Sequence, residues 1–212
     1  MITIINYGMG NLGSVQNMLK RIGTPCQITS DINEIEKATK ILLPGVGAFD
    51  AAITKIDELN LRSILTHKAK VEKIPFLGIC LGMQLLTRSS EEGMLKGLNF
   101  IDAKTIKFNF ENTPRQLSGV EVERLKVPHM GWNLVKQNTP SLLTENFTNE
   151  FRFYFVHSYK VVCDDNKNSI LKTNYGEEFD SAIQNDNVYG AQFHPEKSHK
   201  FGMQLLTNFS KI

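Results

Sequence analysis

The chain has 212 residues, 41% of them hydrophobic, which is enough to bury a substantial core in one α/β domain or a small pair. Its formal net charge is +2, with 24 basic and 22 acidic residues spread along the sequence, so we expect no nucleic-acid partner and no binding to an anionic membrane surface. No apolar run approaches the roughly 18 residues of a membrane span, and the first residues lack the basic leader of a signal peptide.

Local patterns in the first half alternate between strands and helices. Short apolar runs predict strands at residues 2–5, 26–29, 40–43 and 74–79. Runs of helix-forming residues predict helices at 11–22, shortly after Asp31, at 48–59, at 61–71 and from Met83 onward. Strands separated by helices of this length indicate βαβ units, and therefore a parallel sheet.

The pattern changes from about residue 98. Strand-like runs are predicted at 105–108, 121–125, 153–156, 159–162, 181–184 and 188–193, and a final helix over about 200–209. Clusters of Gly, Asn and Asp separate these runs as turns would, so this half should hold antiparallel strands. We predict one domain over 1–212: an open, mixed, mainly parallel α/β sheet flanked by helices, with additional antiparallel strands in the C-terminal half.

The most informative stretch is Gly78-Ile79-Cys80-Leu81-Gly82, a cysteine version of the G-x-S-x-G nucleophile elbow. Here a strand must turn sharply into a helix, and small residues two positions before and after Cys80 remove steric clashes. N–H groups at the helix start would favour the thiolate. The alternative is a small buried cysteine in an ordinary strand–turn–helix unit. With Cys26 and Cys163 the count is odd and the spacing unlike a metal site, which favours a reduced, cytoplasmic setting.

A candidate base follows the last predicted strand. His194-Pro195-Glu196 stands at a strand end, where open α/β sheets place their chemistry. A thiolate nucleophile needs a base, and the base needs an orienting partner. If Pro195 keeps the stretch extended, His194 and Glu196 point to the same side. Taken alone, a histidine in this position is more often a surface residue.

The sequence also contains two stretches that are candidates for other kinds of site, a metal site and a dinucleotide-binding site. His194, Glu196 and His199 could surround a metal, but the spacing fits neither a zinc deaminase nor a zinc protease, so we expect no metal. Residues 8–13 match G-x-G-x-x-G, with Asp31 near the end of the second strand, as in a dinucleotide-binding module. That interpretation leaves the elbow and the His-Pro-Glu stretch unused.

The order of elbow and His-Pro-Glu, 114 positions apart (194 minus 80), resembles the class I glutamine amidotransferases. More narrowly, the chain resembles the glutaminase subunits of imidazole glycerol phosphate synthases. The stretches that carry this resemblance are 6–11, 44–49, 78–84, 128–133, 154–159 and 192–198. Of these, His129-Met130-Gly131-Trp132-Asn133 is the most specific. Residues 103–120 depart from the family in being more polar and loop-like, which leaves open a paralogue that supplies ammonia for surface-sugar amidation.

The resemblance implies an enzyme that hydrolyses L-glutamine to glutamate and ammonia through a thioester, without a cofactor. Cys80 would attack the amide, His194 would shuttle the proton and Glu196 would orient the imidazole. Ammonia would pass to a heterodimer partner, a (β/α)₈-barrel cyclase that makes imidazole glycerol phosphate and AICAR in histidine biosynthesis.

The oxyanion of the reaction needs two donors. One would be the N–H of Leu81. The other would be the N–H of Val46, in a loop where Gly45 and Gly47 allow a peptide to flip. An ordinary strand-to-helix turn is the alternative for this loop.

The resemblance also implies contacts with the substrate and the partner. The substrate-binding candidates are Gly45, Gln84, Glu92, Ser158 and Tyr159, although a slip of one position would exchange Glu92 for Glu91. The candidates for the interface with the cyclase are Asn11, Trp132, Tyr154 and Lys197. From the residues alone, core packing is the simpler role for Trp132 and Tyr154, and a solvated charge for Lys197.

Overall fold

The structure is a computed structural model that describes residues 1–110, 125–148 and 150–212. Its strands are β1 (Ile2–Ile5), β2 (Cys26–Thr29), β3 (Ile41–Gly45), β4 (Phe76–Cys80), β5 (Ala103–Lys107), β6 (His129–Leu134), β7 (Lys136–Gln137), β8 (Arg152–His157), β9 (Tyr159–Cys163), β10 (Ser169–Tyr175), β11 (Glu177–Asn185) and β12 (Val188–Ala191). Its α-helices are α1 (Leu12–Arg21), α2 (Ile32–Glu36), α3 (Phe49–Glu58), α4 (Leu61–Thr66), α5 (Leu81–Leu85) and α6 (His199–Lys211). Among the described residues, none of the helices has the length and apolar character that a membrane span requires.

Ten of the strands form one sheet that joins both halves of the chain. Its parallel part has the order β2-β1-β3-β4-β12, and β11, β10 and β7 continue it antiparallel to one another. Strand β9 pairs with β11 and β5, while β6 and β8 form a separate two-stranded sheet. The fold class predicted from the sequence, mainly parallel with added antiparallel strands, is confirmed.

Four of the parallel strands, β1, β3, β4 and β12, are buried on both faces, as expected for a sheet covered by helices on either side, and the edge strand β2 is half-buried. Successive side chains alternate, so Ile4 and Leu42 pack into one core with α1 and α6, while Ile5 and Leu43 pack into the other with α3. Because β3, β4 and β12 are parallel neighbours, their carboxyl ends meet at one edge of the sheet, where Gly45 pairs with Cys80. Cys80, the last residue of β4, and His194, three residues after β12, lie at this edge.

Element boundaries differ from the predictions in a few places. The predicted helix 61–71 is α4 followed by a π-helical turn, His67–Val71. Strands β6, β7 and β10 were not predicted, because their polar residues leave no clear apolar run. Residues 103–107 form β5 and pair with β9, so the strand predicted at 105–108 is confirmed with slightly earlier bounds, and the stretch 103–120 is not loop-like there. Its remainder from residue 111, and residues 121–124 of the predicted strand 121–125, lie outside the described residues.

Candidate active site

The nucleophile elbow is built as the sequence predicts, with Cys80 between β4 and α5. Cys80 has φ +54° and ψ −113°, a conformation that costs a non-glycine residue about 1–3 kcal/mol and is typical of functional sites. A Cβ on Gly82 would collide with the carbonyl oxygen of Leu43, and a Cβ on Gly78 would collide with the backbone of Gly82. The two glycines are therefore required by close packing as well as by the turn.

Helix α5 begins immediately after the nucleophile and is short. Its first residue is Leu81, and the α-helical part ends at Leu85, so the dipole behind the thiol is that of little more than one turn. The N–H of Leu81 belongs to the first turn, where N–H groups have no partner within the helix. Leu81 can thus offer a donor, while the helix dipole adds less to thiolate stability than the sequence suggested.

His194 and Glu196 form a hydrogen-bonded pair beside Cys80. Nδ1 of His194 lies 2.7 Å from Oε1 of Glu196, and both side chains are 2% exposed. Burial lowers the pKa of His194, but the Cys80 thiol and the Glu196 carboxylate outweigh it and raise that pKa to about 10. The arrangement therefore favours the imidazolium form of His194, held at Nδ1 by the Glu196 carboxylate.

The route by which Glu196 reaches His194 is not the one predicted. Residues Pro195–Lys197 form a 3₁₀ turn, so the chain folds back instead of remaining extended. Proline at the first position of such a turn loses no intrahelical hydrogen bond. The turn brings the carboxylate to Nδ1, so Nε2 is the ring nitrogen of His194 that remains for the thiol of Cys80.

Strand β8 holds this turn in place. The N–H of His194 donates to the carbonyl of Tyr154 at 2.9 Å, and the N–H of Tyr154 donates to Oγ of Ser198 at 3.0 Å. Oγ of Ser198 in turn donates to the carbonyl of His194 at 2.6 Å. The backbone of the candidate base is thus fixed directly to Tyr154, one of the predicted interface residues.

The loop after β3 is the least buried part of the site. Val46 is 43% exposed, and Gly47 has φ +108°, which L side chains rarely adopt. Before it, Tyr7 donates from Oη to the carbonyl of Pro44 at 2.7 Å. Burial, and to a lesser degree the charge of Cys80, raise the pKa of Tyr7 far above its ordinary range, so its phenol stays protonated as a donor.

Two of the predicted substrate-binding residues, Gln84 and Glu92, form hydrogen bonds to distant parts of the chain. Gln84 is buried, and its Nε2 donates to the Tyr159 carbonyl at 3.3 Å. Oε2 of Glu92 accepts from the N–H of Phe49, the first residue of α3, at 2.9 Å. The neighbouring Glu91 instead accepts from the backbone of β5. Glu92, and not Glu91, is therefore the glutamate beside the loop at 45–48.

The other predicted substrate residues contribute backbone at this point. The carbonyl of Ser158 accepts from the N–H of Phe108 at 3.2 Å. The carbonyl of Tyr159 accepts both from Gln84 and from Nδ1 of His157, at 3.3 and 2.8 Å. Gly45 lies against the elbow, since an added Cβ would come 3.0 Å from the N of Gly82 and 2.5 Å from Oη of Tyr7.

Three of the four predicted interface residues form one surface cluster. Trp132 is 44% exposed, and its ring contacts Tyr154 at 6.3 Å and His199 at 5.7 Å between centroids. Nζ of Lys197 lies 5.6 Å from the Tyr154 ring, within cation–π range. Core packing is therefore the wrong role for Trp132. Asn11 lies apart from these contacts and caps α1 by accepting from the N–H of Ser14.

The residues considered for the two competing sites have other contacts in the structure. Within the described ranges no group of three His, Cys, Asp or Glu side chains could hold a metal ion, and His199 stacks on Trp132 instead of approaching Glu196. In the glycine-rich stretch, a Cβ on Gly10 would lie 3.4 Å from the Pro44 backbone, so that stretch packs against the candidate oxyanion loop. Asp31 is used as the N-cap of α2.

Two residues of the site were not singled out from the sequence. Tyr7 anchors the peptide that precedes Gly45. Gln192 is fully buried, and its Nε2 lies 3.9 Å from Sγ of Cys80. A signal existed for Gln192, because it is a polar residue inside the apolar run 188–193; Tyr7 is an aromatic residue between a strand and a glycine and gave no such signal.

These features place the protein in a known class. The family model "Glutamine amidotransferase class-I" matches residues 3–212, and the chain belongs to this family. Solved structures with the same fold include one described as a glutamine amidotransferase, with a TM-score of 0.69, 14% identity and complete coverage of both chains. Another is a glutamine amidotransferase from Thermotoga maritima, with a TM-score of 0.61, 16% identity and coverage of 99% of this chain and 82% of that one.

Within the family, the chain is similar to one particular kind of subunit. It is 56% identical to imidazole glycerol phosphate synthase subunit HisH 2 of Methanococcus maripaludis, covering 100% of this chain and 99% of the relative. It is 45% identical to subunit HisH of Bdellovibrio bacteriovorus and 43% identical to subunit HisH 2 of Pseudomonas aeruginosa, with complete coverage of both chains in each case.

Proposed function

We propose that this protein is the glutaminase subunit of an imidazole glycerol phosphate synthase. It hydrolyses L-glutamine to glutamate and delivers the ammonia to a cyclase subunit in histidine biosynthesis. The observation that carries the proposal is the buried group of Cys80, His194 and Glu196 at the carboxyl edge of the sheet, with Nδ1 and Oε1 2.7 Å apart. Similarity to HisH subunits over the whole chain supports the pathway.

In the first half of the reaction, Sγ of Cys80 attacks the side-chain amide carbon of glutamine. The C=O electrons move to oxygen, and the oxyanion is stabilised by the N–H groups of Leu81 and Val46. His194 then gives its proton to the nitrogen, the C–N bond breaks, and ammonia leaves a thioester on the enzyme.

In the second half, His194 takes a proton from water, whose oxygen attacks the thioester carbon. A second oxyanion forms at the same donors. The C–S bond breaks, glutamate leaves and the sulfur is again a thiolate beside the imidazolium. Glu196 keeps the ring oriented through both proton transfers, since its oxygen accepts from Nδ1.

The partner would be a cyclase with a (β/α)₈ barrel, forming a heterodimer that passes ammonia between the sites. The surface cluster of Trp132, Tyr154 and Lys197 is the candidate interface, and Asn11 is proposed to contact the partner nearby. A cleft of about 580 Å³ next to Trp132 is lined by that residue and by Arg152, His199, Lys200 and Phe201. Its basic and aromatic lining suits an acidic surface on the cyclase.

The exposed loop at Val46 and Gly47 suggests how release of ammonia is restricted. Ammonia made without an acceptor is lost, so an incomplete oxyanion hole at rest would prevent waste. A flip of one peptide costs only about 1–3 kcal/mol, and glycine at positions 45 and 47 permits it. We infer that docking of the cyclase and its ligand completes the donor pair. The whole of 1–212 would act as one domain, and three free cysteines suit the cytoplasm.

The test is release of glutamate from glutamine by the chain alone, with the cyclase of the histidine pathway, and with any paralogous cyclase from the same source. We expect low activity alone and strong activation by the histidine-pathway cyclase. Full activity of the lone chain would contradict the gating. Activation by a paralogue alone would keep the chemistry but remove the protein from histidine biosynthesis.

A further inference from the structure

A series of hydrogen bonds between buried polar groups begins at the sulfur of Cys80. Nε2 of Gln192 lies 3.9 Å from Sγ of Cys80, and Oε1 of the same amide accepts from Nε2 of Gln84 at 3.1 Å. Gln192 is fully buried and Gln84 nearly so. A buried amide is costly unless it is hydrogen-bonded, so its donor and its acceptor are both directed by their partners. The donor faces the nucleophile.

The series of hydrogen bonds continues from Gln84 toward strand β6. Nε2 of Gln84 also donates to the carbonyl of Tyr159, at 3.3 Å, and this carbonyl accepts from Nδ1 of His157 at 2.8 Å. Nε2 of His157 lies 3.0 Å from Nδ1 of His129, and Nε2 of His129 lies 3.2 Å from Nδ2 of Asn133. Contacts of 2.8 to 3.9 Å thus connect Cys80 with β6.

These partners determine which nitrogen of each histidine ring carries the proton. A carbonyl can only accept, so Nδ1 of His157 carries the proton and Nε2 of a neutral His157 accepts. Nδ1 of His129 must then donate, and its Nε2 accepts from Asn133. Burial lowers the pKa of His157 to about 3 and that of His129 to about 4, so both rings are neutral near pH 7. Neither ring can turn over without breaking two hydrogen bonds.

The side chains of strand β6 alternate between the interior and the surface of the protein. His129 points inward, stacked between Phe155 and Tyr175 at 4.7 and 4.0 Å between ring centroids. The alternate residues of β6, Met130, Trp132 and Leu134, are 61%, 44% and 55% exposed. A partner that binds Met130, Trp132 and Leu134 would displace β6. It would therefore also displace His129, because that residue belongs to the same strand.

We propose that Gln192 is a further residue of the catalytic site, donating a hydrogen bond to the sulfur of Cys80, and that the His129–His157 pair is a positioning element that keeps this donor in register with β6. The inference rests on the proposed glutaminase function. It deepens that function by giving the exposed row of β6 a physical connection to the nucleophile.

The first test measures Cys80 directly, by its rate of alkylation with iodoacetamide as a function of pH in the full chain. Gln192→Met removes the donor, and we expect the pH midpoint of alkylation to rise by about half a unit and the rate at pH 7 to fall about threefold. Gln192→Glu keeps the shape and an oxygen for Gln84 but places an acceptor at the sulfur, so its midpoint should rise further. Gln184→Met, on β11, is the control.

An unchanged midpoint in folded Gln192→Met and Gln192→Glu proteins would overturn the role of Gln192. If Gln192→Met does not fold, Gln192→Glu alone decides, since it retains the shape of the side chain. A merely structural amide would lower the melting temperature without moving the alkylation midpoint.

The second test addresses the histidine pair. His129→Phe keeps the ring stack but removes the donor to His157, and we expect a smaller shift in the same direction as Gln192→Met. If the series of hydrogen bonds is continuous, the alkylation midpoint of the double variant should rise no more than that of Gln192→Met alone. The reason is that Gln192→Met already breaks the connection to the sulfur. Additive shifts, or no effect of His129→Phe, would overturn the positioning role. His67→Phe, at an exposed histidine, is the control.

Alkylation requires neither glutamine nor a cyclase, so the two proposals fail separately. A wild-type chain that is alkylated as expected but releases no glutamate with any cyclase would refute the proposed function and leave the placement of Gln192 intact. An active wild-type enzyme with unchanged variants would do the reverse.

Discussion

The catalytic side chains and the candidate oxyanion loop differ in how firmly the fold holds them. His194 and Glu196 are 2% exposed as side chains, and strand β8 fixes the backbone of the base. Val46, which would supply an oxyanion donor, is 43% exposed, and the following Gly47 has a positive φ. Nucleophile and base are therefore assembled by the fold itself, while the loop can change at small cost.

This difference assigns separate tasks to the two regions. Chemistry that depends on a buried nucleophile and base must be preorganised, because rebuilding their arrangement in each turnover would require moving polar groups in a low-dielectric interior. Control can be placed in the loop, since losing one oxyanion donor slows turnover by about 10²–10³ without disturbing the pair. Variants of Cys80, His194 or Glu196 should thus reduce activity both with and without the partner. Variants of the loop at Val46 and Gly47 should reduce activity only when the partner is present.

The largest effect is expected for Cys80→Ala. Removal of Sγ leaves no atom to form the thioester, so glutamate release should vanish both in the lone chain and with the cyclase. The side chain loses one atom and the backbone keeps the same strain as in the wild type, so the fold should persist by circular dichroism. Cys26→Ala, at a half-buried cysteine on β2, is the matched control; undiminished release by Cys80→Ala protein would end the thioester mechanism.

Next in size is the loss of the base. General acid–base catalysis contributes about 10²–10⁴ in rate, so His194→Ala should reduce kcat in the partnered enzyme by that order. Glu196→Gln leaves an imidazole that still works part of the time and should cost less. Equal, near-wild-type rates for both variants would indicate another base, with His157 as the first candidate.

A smaller effect is expected for Gly47→Ala, which would sharpen the comparison. Its positive φ strains any side chain, and the new Cβ would lie 2.7 Å from Cε of Met9. We expect activation by the cyclase to fall by up to about 10², while activity of the lone chain barely changes. Gly23→Ala, at φ +73° with open space around it, imposes similar backbone strain far from the site and should leave activation intact.

The interface should show an effect of about thirtyfold or more in affinity. Exposed aromatic residues dominate many interfaces, and truncation of such a residue often costs at least about 2 kcal/mol. Trp132→Ala should therefore raise the Kd for the cyclase while leaving kcat at saturating partner unchanged. Isothermal titration and activity at several partner concentrations separate the two quantities. An unchanged Kd would exclude Trp132 from the interface.

The smallest effect concerns stability toward acid. Burial lowers the pKa of His157 to about 3 and that of His129 to about 4, against 6.5 when unfolded. The unfolded state then binds more protons, so the stability from these rings is present above pH 6.5 and is lost as the pH falls toward 4. His194, with its pKa raised to about 10, acts oppositely: its contribution is complete below pH 6.5 and is lost toward pH 10.

Melting temperatures measured between about pH 4.5 and 9 test this assignment. We expect Tm to fall on both sides of neutrality, with the acid slope reduced in His129→Gln protein and unchanged in His67→Gln protein. An acid slope that does not respond to His129→Gln would assign acid sensitivity to other groups.

The site could be predicted from the sequence to different depths in different places. Cys80 stood out because an elbow needs small residues at fixed offsets, and Gly78 and Gly82 satisfy a local steric rule. His194 and Glu196 are two residues apart, so their contact was also predictable, although the 3₁₀ turn that makes it was not. Gln192 and Tyr7 were missed, because their partners lie 112 and 37 positions away in the chain.

The sequence by itself determined the alternation of strands and helices, the mainly parallel sheet and the elbow, because these depend on periodicity and on steric limits within a few residues. Only the tertiary structure decided which polar groups meet in the interior. It paired Glu92 instead of Glu91 with the start of α3, left Trp132 at the surface, and joined Cys80 to β6 through two glutamines and two histidines. Such contacts depend on strand order and register, which bring distant residues together and which no local pattern encodes.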